Sequence, residues 1–358
     1  MTTFDDLPLR DGLRGRSPYG APQAPVPISL NVNENTHGIP EVVAHDIVGA
    51  VAASIIGLNR YPDREFTELR QDFAAYLGHG MRAENIWAAN GSNEVLQQIL
   101  LAFGGPGRTF LGFTPTYSMY PLLAMGTSTR WIGREREKDF ELSPEYIARV
   151  IAEDAPDVVV LCSPNNPTGT PLTLDTIRAA YEAAPGIVIV DEAYAEFSDQ
   201  GTPSALELLQ GRPRLIVSRT MSKAFAFAGA RVGYLAADPA IADALRLVRL
   251  PYHLSALTQA AARAALRHSD AMLAVVDDIR AQRDRMSSGL AELGYRPYRS
   301  GSNFVFFGGV DDTSALFQHL FERGILIRDV GIDGHMRVTA GTETETSAFL
   351  DAMTALRS

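Results

Sequence analysis

Lysine is nearly absent from this chain. Of its 32 basic residues only Lys138 and Lys223 are lysine, and the remaining thirty are arginine. Cysteine is scarcer still: Cys162 stands alone, which excludes an internal disulfide and fits a reducing cytoplasm. In the apolar run VVVLCSP it reads as a small buried residue. No apolar run approaches the ~18 residues that a membrane-spanning helix needs. The opening MTTFDDLPLR is acidic and lacks the apolar stretch of a secretory leader, so none is expected. Positive charge is outweighed, with a formal net charge of −10, which argues against nucleic acid or an anionic membrane as partner. The seven histidines (37, 45, 79, 253, 268, 319 and 335) show no HxxxH or similar spacing, so no metal site is expected. Neither GxGxxG after a strand nor GxxxxGK[ST] occurs, and GGPGR has the frame of neither.

What is present is enough apolar residue for a large core. At 358 residues and 46% hydrophobic, the length suggests about two domains. Pro8, Pro18, Pro22, Pro25 and Pro27 forbid a helix through the N-terminal stretch, which reads as an extended arm over 1–27. From about residue 58 short apolar runs of strand length alternate with helical segments: IWAAN, RTFLGF, DVVVLCSP, GIVIVDEAY, RLIVSRT and RVGYLAA. Continuous apolar strands separated by helices predict an α/β fold, a mostly parallel sheet covered on both faces. That large domain is expected over 58–250. Residues 28–57 together with 251–358 are expected to form a smaller α+β domain, with a helical stretch from about Pro251 toward Leu293 that breaks near Asp270.

Polar residues gather at the predicted strand ends, where an open α/β sheet places its ligand site. SPNNPTG follows one strand, Asp191-Glu192-Ala193-Tyr194 another, and Ser222-Lys223 a third, with Arg231 eight positions on. The helix start at Gly91-Ser92-Asn93 offers free backbone N–H groups to an anion. Lysine, unlike arginine, can lose its proton and attack a carbonyl. Lys138, in REREKDF, reads as a solvated surface residue. Lys223, at a strand end before an apolar run, is either a chance survivor or a Schiff-base lysine. Its neighbours suit pyridoxal phosphate, which needs an amine, a carboxylate for the pyridine nitrogen, donors to the phenolic oxygen and a phosphate pocket. Lys223, Asp191, Tyr194 with Asn166, and Ser92, Asn93, Ser222 and Arg231 can supply these in that order.

SPNNPTG, IVDEAY and TMSKAFAFAGARVGY resemble the signature segments of fold-type I pyridoxal-phosphate aminotransferases, with an aspartate-aminotransferase-like architecture. LPLRDGLRGRSPYGAPQ, LNVNEN, NRYPD, ENIWAANGSNEVLQQIL, LVRLPYHLS, SNFVFFG and RVTAGT narrow the resemblance to the histidinol-phosphate aminotransferase family, especially its actinobacterial members. The resemblance implies that Lys223 carries the cofactor and moves a proton, Asp191 pairs with the pyridine nitrogen and Tyr117 stacks on the ring. Tyr61 would reach the phosphate in the neighbouring subunit, so a homodimer is implied. Arg337 and Arg328 would bind the anionic ends of histidinol phosphate and of glutamate or 2-oxoglutarate. Tyr19, Asn33 and Glu34 would close over the substrate, and Tyr252 would line the pocket. The family's usual Asn-Glu-Asn-Pro here reads Asn33-Glu34-Asn35-Thr36-His37, and losing the proline would free that segment. An aromatic amino acid aminotransferase on the same scaffold is the alternative, ahead of a decarboxylase or a non-catalytic sensor.

Overall fold

A computed structural model describes residues 6–15, 20 and 23–356; Tyr19, expected over the substrate, lies outside them. After a short strand β1 (Ile28–Ser29), helices α1 (Glu41–Ile55) and α2 (Thr67–Leu77) lead to strand β2 (Ile86–Ala89). Helix α3 (Ser92–Phe103) opens an alternation: β3 (Thr109–Thr114), α4 (Met119–Gly126), β4 (Arg130–Glu135), α5 (Pro144–Asp154), β5 (Val158–Cys162), α6 (Leu174–Ala183) and β6 (Ile187–Asp191). Strands β7 (Leu215–Thr220) and β8 (Gly233–Ala237) follow, then helices α7 (Pro239–Val248), α8 (Ala256–Arg267) and α9 (Ser269–Leu273). The rest of the chain gives α10 (Val276–Glu292), β9 (Arg296–Pro297), β10 (Phe304–Gly308), α11 (Thr313–Glu322), β11 (Ile325–Leu326), β12 (Arg328–Asp329), β13 (His335–Thr339) and α12 (Glu343–Ala355).

Local sequence explains most boundaries. Ser143, Thr173, Asp238, Ser255 and Asp312 each accept a backbone N–H at the start of α5, α6, α7, α8 and α11, as N-cap residues do. Thr342 and Glu345 form a reciprocal capping box on α12. Strands β2, β5, β6, β8 and β10 are buried at every residue. Each Val, Ile or Leu so buried stabilises the fold by about 1.5–3 kcal/mol relative to exposure.

The large sheet has the order β2-β8-β7-β6-β5-β3-β4. The pairs from β4 to β7 are parallel, while β8 runs antiparallel to both β7 and β2. The sheet is thus mixed at one edge, because the connection from β7 to β8 is a loop and not a crossover helix. Strand β4, RWIGRE, escaped the sequence reading. It is a mostly exposed edge strand without an apolar run.

Helices α1 and α8 pack on each other, and Val43, Leu254, Ala262, Ala265 and Leu266 belong to the core of the large sheet. The expected small domain of 28–57 with 251–358 is therefore too large. Its own core holds Leu30, then Met286 and Leu290 of α10 and residues of the sheet β12-β13-β10-β9, α11 and α12. The helices over 41–55 and 256–267 were misassigned because amphipathicity says that a face is buried but not against which sheet. A third cluster, including Tyr194, Phe197, Ala224, Ile279 and Phe304, fills the seam between the two units. Among the described residues no helix is long and apolar enough to cross a membrane.

Candidate active site

The carboxyl ends of β5, β6 and β7 open into a cavity of about 370 Å³ above that seam. Cys162 and Asp191 are register partners on β5 and β6. Lys223 follows the end of β7, so topology alone brings the amine and the carboxylate into one cavity. Ser92, Asn93, Tyr117, Asn166, Tyr194, Ser222 and Arg231 line it as well, and so do Asn33, Glu34, Arg328 and Arg337. The structure thus brings together thirteen of the sixteen residues singled out from the sequence.

Asp191 is buried at 2% exposure. Its Oδ2 accepts the hydroxyl proton of Tyr120 at 2.8 Å, whereas Oδ1 is buried with no hydrogen-bond partner. Burial pushes this carboxyl up to about 6, against the lowering by Tyr120, and the neighbouring Glu192 adds to the rise. Lys223 Nζ donates to the carbonyl of Val32 at 3.2 Å. Burial, together with the positive charges of Arg337 and Arg231, brings its amine down to about 8. Acid and amine are thus both shifted toward neutrality.

Tyr194 is held from two sides. Its hydroxyl oxygen accepts the side-chain amides of Asn33 at 3.0 Å and Asn166 at 3.3 Å, which leaves its own proton to be donated. Burial holds this phenol well above its usual range. Arg337 donates to Asn166 Oδ1 at 2.6 Å and to the carbonyl of Asn31 at 2.7 Å. Its guanidinium lies over the ring of Phe304 at 5.2 Å. The Tyr117 hydroxyl donates to Asn93 Oδ1 at 3.2 Å.

The start of α3, with Arg231 beside it, is suited to hold an anion. Gly91, at φ +87°, precedes Ser92, and a Cβ there would lie 2.5 Å from Arg231 Nη2. Only glycine lets this guanidinium approach the helix terminus, where N–H groups and the helix dipole favour negative charge. Arg231 itself sits at φ +57°, a conformation uncommon for a non-glycine residue and frequent at functional sites. It donates to Ala228 O at 3.0 Å and lies 3.5 Å from Ser222 Oγ.

Two expectations are corrected. Tyr252 does not line the cavity of its own chain; it stacks on Tyr61 with ring centroids 4.4 Å apart. Tyr61 itself is 79% exposed. Asn33, expected to close over the substrate, lines the cavity from a tied position. It is 1% exposed, and besides Tyr194 it engages Thr339 at 3.0 and 3.1 Å and Asn303 at 3.2 Å. The missing proline does not leave the segment free, since Asn35 binds Ala224 O and the backbone amide of His37. The His37 ring faces Asp278 at 3.0 Å.

The sequence reading missed Tyr120, although it lies three residues after Tyr117 in TYSMYP and at the start of a helix. It also missed the carbonyls of Asn31 and Val32, since no side-chain pattern marks a backbone acceptor. Among the described residues no group of three or more His, Cys, Asp or Glu is placed to hold a metal.

The chain matches the family described as aminotransferase class I and II over residues 25–353. It is 64% identical to the histidinol-phosphate aminotransferase of Paenarthrobacter aurescens strain TC1, over 99% of this chain and 96% of that protein. Its fold superposes on the histidinol-phosphate aminotransferase of Sinorhizobium meliloti in complex with pyridoxal-5′-phosphate. There the TM-score is 0.83 and the identity 26%, over 92% of each chain. The aspartate aminotransferase of Thermus thermophilus with maleate shares the fold at TM-score 0.79 and 23% identity, over 92% of this chain and 91% of that one.

Proposed function

This chain belongs to the class I and II aminotransferases, and on that premise we propose that it exchanges an amino group between L-histidinol phosphate and 2-oxoglutarate. The products are imidazole-acetol phosphate and L-glutamate, in histidine biosynthesis. The observation that carries this reading is a single cavity holding Lys223, the orphaned Oδ1 of Asp191 and two arginines, Arg328 and Arg337.

The residues fit pyridoxal 5′-phosphate. Asp191 Oδ1 lacks only a donor, which a protonated pyridine nitrogen provides, and the cradle of Ser92, Asn93, Ser222 and Arg231 suits a phosphate dianion. Tyr117 would stack on the ring, and Tyr194 with Asn166 would face its phenolic oxygen. When bound, the cofactor supplies a carbonyl that takes up the donor's amino group and a ring that accepts electrons, which makes the transfer reversible.

The chain's own groups do the rest. With its amine at about 8, Lys223 is neutral in a sizeable fraction of molecules near neutral pH, where an ordinary lysine is almost wholly charged. It can attach to a carbonyl, and once released it can lift a proton from the donor's Cα and return one at the acceptor. Asp191, once paired, stays ionised and keeps a positive ring nitrogen in place. Arg337 and Arg328 bind first the phosphate of one substrate and then a carboxylate of the other, which favours a donor that carries a phosphate and an acceptor that carries two carboxylates. Glu34 lines the cavity and is exposed, so it can face an imidazole.

Tyr61 and Tyr252 serve the site of a second copy in this reading. A homodimer would cover apolar side chains that stand exposed on the single chain, Ile56 (87%), Leu247 (86%) and Leu250 (77%). The single buried Cys162 supports a reducing compartment, the cytoplasm.

The test is a steady-state comparison of histidinol phosphate with phenylalanine as donors, 2-oxoglutarate being the acceptor. The expected result is a kcat/KM higher for histidinol phosphate by at least about two orders of magnitude, since phenylalanine offers only a singly charged carboxylate where histidinol phosphate offers a phosphate dianion. A preference for phenylalanine discards the substrate assignment, and carbon dioxide release from an amino acid would point to a decarboxylase.

A further inference from the structure

The small sheet β12-β13-β10-β9 has two faces. Val305, Phe307, Met336 and Val338 turn toward α10 and α12 in the second core. The alternate positions Phe304, Phe306, His335 and Arg337 turn toward the large domain. On this second face His335 stacks on Phe306 at 5.1 Å and 11°. Tyr298 lies 3.1 Å from His335 Nε2, and His335 Nδ1 lies 2.7 Å from Asp333 O. That carbonyl can only accept, so Nδ1 carries the proton and Nε2 accepts the tyrosine hydroxyl.

One side chain of the large domain enters this aromatic patch. Phe140, from the loop between β4 and α5, meets Tyr298, Phe306 and His335 edge-on at 5.1, 5.4 and 5.8 Å. Asp139 beside it pairs with Arg296. Both loop residues have positive φ, 57° and 62°, a conformation non-glycine residues avoid unless their surroundings impose it. The loop is tied from below. The carbonyl of Phe140 accepts the Arg136 guanidinium at 3.1 Å and the Thr170 hydroxyl at 3.3 Å. Arg136 is buried and also donates to Phe113 O at 3.3 Å. Thr170 closes the turn that presents Asn166. At the same seam Gly301 N donates to Gly169 O at 2.8 Å, and a Cβ on Gly169 would lie 2.5 Å from Ser300 Oγ.

The ring of Phe140 therefore grips β13 two residues from Arg337, and it grips β10 at Phe306, the register partner of Arg337. Its backbone is fixed to the turn that carries Asn166, the residue Arg337 binds. We propose that Phe140 is a positioning residue for substrate anions: it locks the small sheet against the large domain so that Arg337 faces the cavity. This rests on the reading of Arg337 as an anion ligand. Phe140 lines no part of the cavity itself, so it acts on binding only through the sheet it grips.

The test is kinetic. In Phe140→Ala the KM values for histidinol phosphate and for 2-oxoglutarate should both rise about tenfold, the scale of coupling between residues in one network. The kcat and the affinity for pyridoxal 5′-phosphate should stay within about twofold, because Lys223, Asp191 and the phosphate cradle stand on the large sheet. Phe140→Tyr, which keeps the ring, should restore most of the binding. Met353→Ala removes a side chain of α12 that is buried in the core on the opposite face of the same sheet and should lower the melting temperature without raising KM. In an Arg337→Gln background, Phe140→Ala should add almost nothing. An unchanged KM in Phe140→Ala, an equal rise in Met353→Ala, or a fully multiplicative effect with Arg337→Gln would overturn the proposal. An Arg337→Gln variant with unaltered KM would instead remove the reading of Arg337, and the proposal with it.

Discussion

Replacing Tyr120 by Phe deletes one oxygen and tests the electrostatics of the whole site. The hydroxyl donates to Asp191 Oδ2 at 2.8 Å, both groups being buried. A hydrogen bond to a charged group contributes about 1.5–3 kcal/mol, and 1.36 kcal/mol is one pKa unit, so the Asp191 carboxyl should climb by about one to two units. It begins at about 6 in the cofactor-free protein. At pH 7 its ionised fraction then drops from about nine-tenths to between about a half and a tenth. Only the ionised form pairs with a protonated pyridine nitrogen. The affinity for pyridoxal 5′-phosphate should therefore fall roughly two- to tenfold at pH 7 relative to the unaltered protein. By pH 9 both carboxylates are ionised, so the ratio of the two affinities should return toward one. Taking the ratio removes the titration of Lys223, which both proteins share.

The assay is a titration of cofactor-free protein with pyridoxal 5′-phosphate, followed by absorbance at several pH values between 6 and 9. The same carboxyl has a folded-state pKa raised from an ordinary 3.8. The cofactor-free fold consequently loses stability as pH rises from about 3.8 through about 6, and Tyr120→Phe should deepen the loss and extend it upward in pH. An affinity ratio that stays constant from pH 6 to 9 would refute the reasoning, since the hydroxyl would then act by packing and not through the charge of Asp191.

The other expectations can be stated briefly. Lys223→Ala should lower kcat/KM by at least about three orders of magnitude, as expected for loss of a nucleophile that is also the proton carrier. Borohydride should fix the cofactor to residue 223 in the unaltered protein and to no residue in the variant. The Lys223 amine, lowered to about 8, is a cost to the cofactor-free fold that is complete below that pH and vanishes above 10.5. Lys223→Met should accordingly stabilise that form at pH 7 by on the order of 1 kcal/mol, measured by denaturant unfolding. Arg219→Met leaves Glu192 and Glu196, now bridged at 2.8 and 3.5 Å, buried without a countercharge. It should cost about 3–5 kcal/mol of stability, less in acid, where protonation relieves the Glu196 carboxyl, which burial holds above its ordinary range. Mixing Tyr61→Ala with Lys223→Ala protein should recover part of the activity through hybrid dimers; none in verified hybrids would exclude a shared site.

How much of this could be read from the sequence follows from where the information lies. Fully buried parallel strands such as VVVLC and IVIVD are local signals, and so are the capped helices between them, so the order of elements along the chain was legible. Which core a helix joins is not local. Nothing in EVVAHDIVGAVAASI distinguishes packing on α8 from packing on the small sheet, and so the boundary at residue 57 was drawn wrongly. Strand β4 was missed for the opposite reason, because an exposed edge strand keeps its backbone pairing and drops the apolar pattern that would announce it. The residues with reactive side chains were legible because chemistry restricts them to few types. Their supports were less so: Val32 and Asn31 act through carbonyls, and any residue type could have stood there. Phe140 looked like part of a charged surface run, REREKDF, because its partners arrive from about 160 residues away in sequence.

The support residues nonetheless decide what the reactive ones can do. Asp191 and Lys223 are both held in the less-charged direction by burial, and neither shift can be obtained from DEAY or SKAF taken alone. A buried carboxylate with one unpartnered oxygen and a buried amine bonded to a single carbonyl each destabilise the empty protein. A ligand that brings a cation to the first and a carbonyl to the second relieves both costs at once, so these two shifts act together as affinity for one molecule. Arg337 shows the same division of labour. Its charge is written in HMRVTAG, but its aim is set by Asn31, Asn166 and Phe304. On the proposed reading, the choice of an anionic substrate therefore resides in the seam between the domains more than in the arginine itself.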